Sequence, residues 1–433
     1  MSFSNNKIVK NATWIIGCRV FQAVFNLTVS MIIARFLGPA NFGIINYAES
    51  IATFVLPVMQ LGFNNTIVLE LVNNKKKEGE ILGTVLMSCF ISGIMCIISV
   101  LAFTGIVNYG EKETILVCFL YSFMLLSHAL EMLMYWFEAN LISKYTSIIS
   151  LGAYIIVSIY KIYLVISGKS IYWFAISNTL DYMIIAVSQI VLYKKLGGSK
   201  FEASFLRFKK MFSKSKYYIV SGIMIAVFSQ TDRIMLKLLI GNEVTGYYSA
   251  AVRCASITTF IFSAIINSAF PAIYESFEKG IGVFEKNIKN LYAVILYMAI
   301  VQSIIMTLFA KPIILILYGE AYLKAVPALK IITWYIAFSY MGTIRNRWML
   351  VKGTQSLIWK IDFSGALLNV GLNIICIPKF GLVGAAVASL ITQIFTNFIL
   401  SWMIKNVRRN NDLIISSLNP KVIINLLKSF CRK

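Results

Sequence analysis

Charge is scarce in this 433-residue chain. Lys, Arg, Asp and Glu together make up 13% of it, while 58% of the residues are hydrophobic and the mean hydropathy is +0.77. A soluble domain carries about 25% charged residues, and this much apolar surface cannot be hidden from water, so a soluble multi-domain enzyme is excluded. Histidine occurs once, at His128, which rules out a His-rich metal site. The seven cysteines, at positions 18, 89, 96, 118, 254, 376 and 431, form no CxxC pair. Six fall in apolar runs and read as small packing residues rather than a disulfide or metal framework. A GxxxxGK[ST] phosphate loop is missing as well, since Gly168-Lys169-Ser170 lacks the upstream glycine. With neither that loop nor a soluble domain there is no place for ATP hydrolysis, and energy must come from a gradient or from consumption of the product. No large outer loop is available to carry a polymerase or ligase site. The expectation is a non-enzyme without a cofactor.

What is present is a succession of long apolar runs, bounded by charged residues or by Gly, Pro and Asn. They fall at about 12–34, 42–62, 81–107, 114–137, 147–167 and 170–193, and again at 217–240, 246–272, 289–317, 325–345, 355–378 and 380–404. Each is long enough to cross a hydrocarbon core of about 30 Å as a helix. The expected fold is an all-α integral membrane protein of about twelve transmembrane helices.

The excess of 40 Lys and Arg over 18 Asp and Glu would suggest nucleic acid on a soluble chain. Here it reads as the basic bias of cytoplasmic loops, with no nucleic-acid partner. With both termini inside, 27 basic residues fall on the inner side and six on the outer: Arg35, Lys112, Lys169, Lys311, Lys324 and Lys379. The inner count includes Arg345 and Arg347 in an expected turn at 345–353. The first run, preceded by Lys7 and Lys10, reads as an uncleaved first span. A multi-pass protein of the bacterial cytoplasmic membrane with both termini cytoplasmic is expected.

The longest inner loop, 194–216, splits the spans into two sets of six. Phe201, Phe205, Phe208 and Phe212 recur in it at helical spacing, opposite Arg207, Lys209 and Lys210, which predicts an amphipathic helix lying on the inner membrane surface. The expected organisation is an N-terminal lobe over 1–193, this basic linker over 194–216, a C-terminal lobe over 217–404 and a basic tail over 405–433. In the tail, 413–430 reads as an interfacial helix or a loose end. The two halves repeat weakly: Arg35-Phe-Leu-Gly-Pro-Ala-Asn-Phe-Gly43 corresponds to Leu238-Leu-Ile-Gly-Asn-Glu-Val-Thr-Gly246, aligning Gly43 with Gly246. Six spans return the chain to the same side, so the halves are parallel repeats about an axis along the membrane normal.

Ionisable side chains at membrane depth are costly and usually face a cavity or a partner. The runs hold Glu49, Glu131, Asp181, Asp232 and Asp362, and Arg19, Lys161, Arg233, Lys237, Arg253, Lys330 and Lys360. Arg19, Arg233 and Arg253 lie deepest, in spans that correspond in the repeat, and guanidinium stays charged there. They form the core of a candidate cationic cavity suited to pyrophosphate. Lys237, Lys161 and Lys360 complete the candidate substrate-binding set, with snorkelling to the interface as their other reading. The polar run Ser229-Gln-Thr-Asp-Arg233 is the least membrane-like stretch in any span. Asp232, Asp181 and Glu49 are equal candidates for binding a coupling H+ or Na+. Glu131 lies one turn from His128, as a structural hydrogen bond or a proton site. The amides Gln22, Asn26, Gln60, Asn64, Gln230 and Asn267 read as interhelical packing contacts or as sugar ligands.

The segments FLGPANFG at 36–43, LIGNEVTGYYSAA at 239–251 and FGLVGAAVASLITQ at 380–393 resemble the polysaccharide-biosynthesis transporters. These are the O-antigen and capsule repeat-unit flippases of the multidrug/oligosaccharidyl-lipid/polysaccharide exporter superfamily. The resemblance implies two six-helix lobes around a central cavity open to one side at a time. It also implies translocation of undecaprenyl-pyrophosphate-linked oligosaccharide to the outer leaflet, with polymerase and chain-length proteins as partners beside membrane lipids. Spans thirteen and fourteen of the related lipid II flippases have no counterpart, which argues against lipid II as cargo. The alternatives are a cation antiporter of the same superfamily, which predicts an acidic, aromatic cavity, and a membrane-embedded polysaccharide polymerase.

Overall fold

The computed structural model describes the backbone of residues 2–431 and the side chains of residue 22 and residues 25–426. Ten helical stretches among the described residues are long and apolar enough to cross a membrane. Two of them are too long to be one crossing. Gln355–Met403 has 49 residues, which would reach about 74 Å at the helical rise, more than twice the hydrocarbon thickness. It breaks at Gly381, where φ is +55°, a value glycine adopts without a Cβ clash. The first helix, α1 (Ser2–Met59), breaks in the same way at Gly38, with φ +72° and Pro39 behind it. Counting both halves of each gives the twelve segments expected from the hydropathy pattern.

Between them the chain runs through α2 (Ile67–Asn73), α3 (Glu78–Val107), a fourth crossing built from α4 (Lys112–Ser122), α5 (Met124–Glu131) and α6 (Met134–Ala139), then α7 (Ser143–Ile166) and α8 (Ile171–Lys195). The second set comprises α9 (Phe205–Leu239), α10 (Asn242–Ala255) with α11 (Thr259–Glu278), α12 (Ile281–Leu308), α13 (Ala310–Tyr318), α14 (Val326–Val351) and α15 (Ile358–Ile394). A π-helical turn at Phe395–Ile399 leads into α16 (Leu400–Met403), followed by α17 (Lys405–Ser417) and α18 (Pro420–Cys431).

Packing divides the chain into two compact units, Met1–Gly246 and Tyr247–Lys433. In the first, α1 packs against α9, α7 and α4, and α8 against α7 and α5. In the second, α14 packs between α12 and α15. Cys89, Cys96, Cys118 and Cys254 are buried, the first three within apolar clusters, in the packing role expected of them.

Three local expectations are corrected. The linker does not form a separate surface helix: 196–204 is non-helical, and Ser204 caps a helix that continues unbroken from Phe205 to Leu239. Phe208 stacks on Phe212 at 5.4 Å and meets Phe63 edge-on at 6.2 Å, so that part of the stripe records packing, while Phe205 stays exposed. Arg207, expected on a solvated face, is buried and forks onto Glu80 at 3.3 and 3.2 Å. The expected turn at 345–353 is helix up to Val351. The chain beyond 405 is neither a loose end nor only interfacial, because α17 buries Val407, Leu413 and Ile414 and packs on α12. There Asn410 accepts a hydrogen bond from the Tyr292 hydroxyl at 3.0 Å.

Candidate functional site

The site begins with how α9 meets α1. The two run antiparallel, and small residues mark each close approach, as is usual where helices pack in lipid. Gly222 sits against the Pro57 ring, Gly62 against the Ser215 backbone, and Gly43 against the backbone of Asn242 and Gly246 at the start of α10. The last contact is reciprocal. A Cβ on Gly43 would strike the Asn242 carbonyl, and a Cβ on Gly246 would strike the Pro39 carbonyl. Gly43 and Gly246, and Pro39 and Asn242, are equivalent positions of the sequence repeat.

Just below this contact, α9 carries buried charge. Lys237, read from sequence as a cavity ligand or a snorkelling residue, is 5% exposed and points to Glu111, 2.5 Å from its Oε2. Thr114 donates to the same oxygen at 2.7 Å. The Lys237 ammonium also lies 6.0 Å from the centre of the Tyr47 ring, whose hydroxyl donates to Asn108 Oδ1 at 2.9 Å. Burial pushes the Glu111 carboxyl up, but the hydrogen bonds from Lys237 and Thr114 and the Lys237 charge outweigh it, so its pKa lies below the usual value. Glu111 was missed by sequence reasoning because it sits in a loop, just after Gly110, where a carboxylate carries no signal of its own.

One turn further into the membrane, Asp232 is 7% exposed and Thr231 is buried beside it. Arg233 receives its orientation partly from Gln230, donating to Oε1 at 3.1 Å. Thr231 and Asp232 of the polar run are therefore set into the protein, while Ser229 at its start is exposed.

A second cluster occupies the first unit between α1, α5, α7 and α8. His128 Nδ1 is 2.8 Å from Glu131 Oε2, and the imidazole stacks on Tyr182 with ring centres 3.7 Å apart. Asp181 lies within electrostatic range of Lys161, Glu131 and His128, and Tyr182 within range of Glu131, Asp181 and Glu49. Lys161 donates to Asn178 Oδ1 at 2.8 Å. The structure thus gathers two of the three candidate coupling acids, Asp181 and Glu49, around Tyr182, together with the His128–Glu131 pair. Lys161, expected in the cationic set, belongs to this acidic cluster.

In the second unit Arg253 lies in the last turn of α10, within electrostatic range of Tyr318. Lys360 is exposed, 5.8 Å from the centre of the Trp359 ring. The most buried guanidinium in this unit is one the sequence placed in a loop. Arg345, 2% exposed, donates through one nitrogen to the Thr396 carbonyl at 2.8 Å, Asn397 Oδ1 at 3.0 Å and Ser401 at 3.2 Å. Another nitrogen lies 3.9 Å from Asp362. This fastens α14 to the π-helical turn, where the Thr396 carbonyl also accepts from Ser401 Oγ at 3.0 Å. The side chain of Arg19 lies outside the described residues. Of the amides, Gln230 serves Arg233, Asn267 accepts from Arg347 at 3.2 Å, and Asn64 accepts from Asn65 at 2.8 Å.

Twelve apolar helical segments among the described residues define a multi-pass membrane protein. The chain belongs to the polysaccharide biosynthesis protein family, whose family model matches residues 8–277. It is 22% identical over 393 residues to the capsular polysaccharide biosynthesis protein CapF of Staphylococcus aureus, a match covering 89% of this chain and 96% of that one. An uncharacterized membrane protein of Methanocaldococcus jannaschii is 29% identical over 275 residues, covering 59% of this chain and about half, 53%, of that protein's length. In fold the chain is similar to a lipid II flippase, MurJ, in an inward closed conformation, with a TM-score of 0.73 at 15% identity over 95% of this chain and 92% of that one.

Proposed function

We propose that this protein is an alternating-access flippase that carries undecaprenyl-pyrophosphate-linked oligosaccharide from the inner to the outer leaflet of the cytoplasmic membrane, with both termini inside. The observation that carries this reading is the burial of Asp232 and Lys237 at membrane depth on α9, in a chain of a polysaccharide-biosynthesis family. Charges are held at such depth at a cost that a passive scaffold has no reason to bear.

In this account Arg19, Arg233 and Arg253 hold the pyrophosphate, because a fixed guanidinium fork matches its oxygens and cannot shed its charge. Lys237 has another task. Together with Glu111 and the reciprocal glycine contact it closes the outer end while the cavity faces inward. The repeat supports this assignment, because Gly43 and Gly246 are equivalent positions of the sequence repeat and meet reciprocally within the first unit. The cluster of His128, Glu131, Asp181, Tyr182, Glu49 and Lys161 takes up the coupling proton, with Asp232 as the other candidate acid.

The test is export of surface polysaccharide in a bacterial host deleted for its own flippase. Arg233→Ala and Arg253→Ala should abolish export with normal protein levels in the membrane, and the Lys variants should retain part of it. Full export by both Ala variants would overturn the pyrophosphate role. A cation antiporter would instead extrude organic cations and leave export unrestored.

A further inference from the structure

A groove of about 460 Å³ opens on the first unit beside the start of α9, lined by no charged residue. Its walls are Met87, Ile91 and Met95 of α3, Leu61 at the end of α1's turn, and Phe205 and Phe208. The local sequence builds it. Gly79 and Gly83 have no side chain, so the backbone of 200–202 lies directly on α3, with the Glu202 N–H donating to the Gly79 carbonyl at 3.1 Å. Ser204 N–H adds a bond to Thr84 Oγ1 at 3.0 Å, and Arg207 clamps Glu80. The chain is pinned over the first two turns of α3 and stands off the next three, which leaves the groove.

The serine O–H groups on α3 that face it are already engaged as donors. Ser88 donates to the Thr84 carbonyl at 2.7 Å and Ser92 to the Val58 carbonyl at 3.1 Å. The stripe from Thr84 to Met95 is about 16 Å long at the helical rise, half of a hydrocarbon core of about 30 Å. That is the length of one acyl chain in one leaflet. The mouth lies toward the end of α3 that follows exposed Lys75, Lys76 and Lys77, with exposed Lys200 on the pinned segment and exposed Lys209 one turn after the groove-lining Phe205. Its acids are largely taken: Glu80 by Arg207, Glu70 by Lys214 at 2.5 Å, and Glu78 by Trp136 and Ser199. Glu202 alone faces outward beside the lysines.

We infer that this groove is a binding site for one anionic phospholipid, its acyl chain lying along Met87, Ile91 and Met95 and its phosphate held at Lys200 and Lys209. The chain fills a wall that has no polar demand, and the headgroup meets a cationic mouth whose countercharges are engaged elsewhere. An isoprenoid of the cargo's length would overrun a groove one leaflet deep.

The experiment is native mass spectrometry of the full-length protein released from nanodiscs of equal phosphatidylglycerol and phosphatidylcholine. Wild type should retain one phosphatidylglycerol. Ile91→Trp, and separately Met87→Trp, should lower that singly occupied population at least threefold, while Ile98→Trp, on the same helix outside the groove, leaves it intact. Lys200→Gln with Lys209→Gln should erase the preference for the anionic lipid. Equal retention by the two filled variants and wild type would overturn the site, and equal retention of phosphatidylcholine would overturn the headgroup assignment. Displacement of phosphatidylglycerol by equimolar undecaprenyl phosphate would overturn the acyl-chain occupant. Gel filtration and melting temperature establish that each variant is folded, and either filled variant alone suffices for the comparison.

Discussion

Gly43 and Gly246 meet backbone to backbone, each standing where a Cβ would collide with a carbonyl of the other's segment, Asn242 for Gly43 and Pro39 for Gly246. The two glycines occupy the same position of an internal repeat. Residues equivalent by sequence thus contact each other symmetrically, as self-complementary patches do across a two-fold axis.

Substituting either glycine tests that contact. Gly43→Ala and Gly246→Ala must each separate the segments, at a cost of about 1–3 kcal/mol for overpacking. Both should lower the melting temperature in detergent, and the double variant should fall short of the sum because one contact is lost once. Strict additivity would show that the two residues act independently.

The Lys237–Glu111 pair gives a second test. Glu111→Gln leaves a buried ammonium facing an uncharged amide, which should cost about 1–2 kcal/mol, below the range for fully buried pairs because the Glu111 side chain is 44% exposed. Lys237→Met with Glu111→Gln should recover most of that loss. A double variant less stable than either single one would contradict the pairing.

The same pair predicts an acid dependence. The folded-state pKa of Glu111 lies below its ordinary value. Its contribution is therefore complete above the unfolded carboxylate pKa, about 4.3, and is lost as pH falls through the lower folded value. Melting temperature recorded from pH 6 down to pH 3 should show an acid-side loss in wild type that is smaller in Glu111→Gln. Identical profiles would remove Glu111 from the acid response.

How far the sequence revealed this can be seen residue by residue. The twelve segments were legible because apolar run length is set directly by bilayer thickness, and the breaks at Gly38 and Gly381 coincide with glycines the sequence displays. The Gly43–Gly246 correspondence was visible as a repeat, although its meaning as a contact was not, since parallel repeats constrain orientation and leave distance open. The linker stripe misled because a helical spacing of phenylalanines is the same for a helix on a membrane and one packed on Phe63. Arg345 and Glu111 were invisible for a shared reason: position near a span end reads as solvent exposure. Only tertiary packing turned one toward the Thr396 carbonyl and the other toward Lys237.

Arg345 accordingly carries a structural prediction. Arg345→Ala leaves Asn397 Oδ1 without its donor, removes one of two side-chain donors to the Thr396 carbonyl and opens a cavity, which should cost about 2–4 kcal/mol. Arg345→Lys should recover only a part, because a single ammonium cannot span Thr396, Asn397 and Asn346 together. Thermal unfolding of purified variants measures both, and an unaffected melting temperature for Arg345→Ala would contradict the assignment.

Proton coupling in the first unit is tested by His128→Gln and Asp181→Asn. Either should weaken the dependence of transport on an imposed proton gradient without removing the protein from the membrane. Asp232→Asn is the comparison: if it alone abolishes gradient dependence, the coupling acid lies on α9 and the Tyr182 cluster is structural.

The central claim is tested most directly by translocation in sealed vesicles containing the purified protein, with undecaprenyl-pyrophosphate oligosaccharide in one leaflet and a cationic dye offered in parallel. Protein-dependent movement of the lipid-linked sugar, lost when Arg233 and Arg253 are replaced by Ala, is the predicted result. Dye movement driven by a proton gradient, with the lipid-linked sugar left in its original leaflet, would contradict the flippase account.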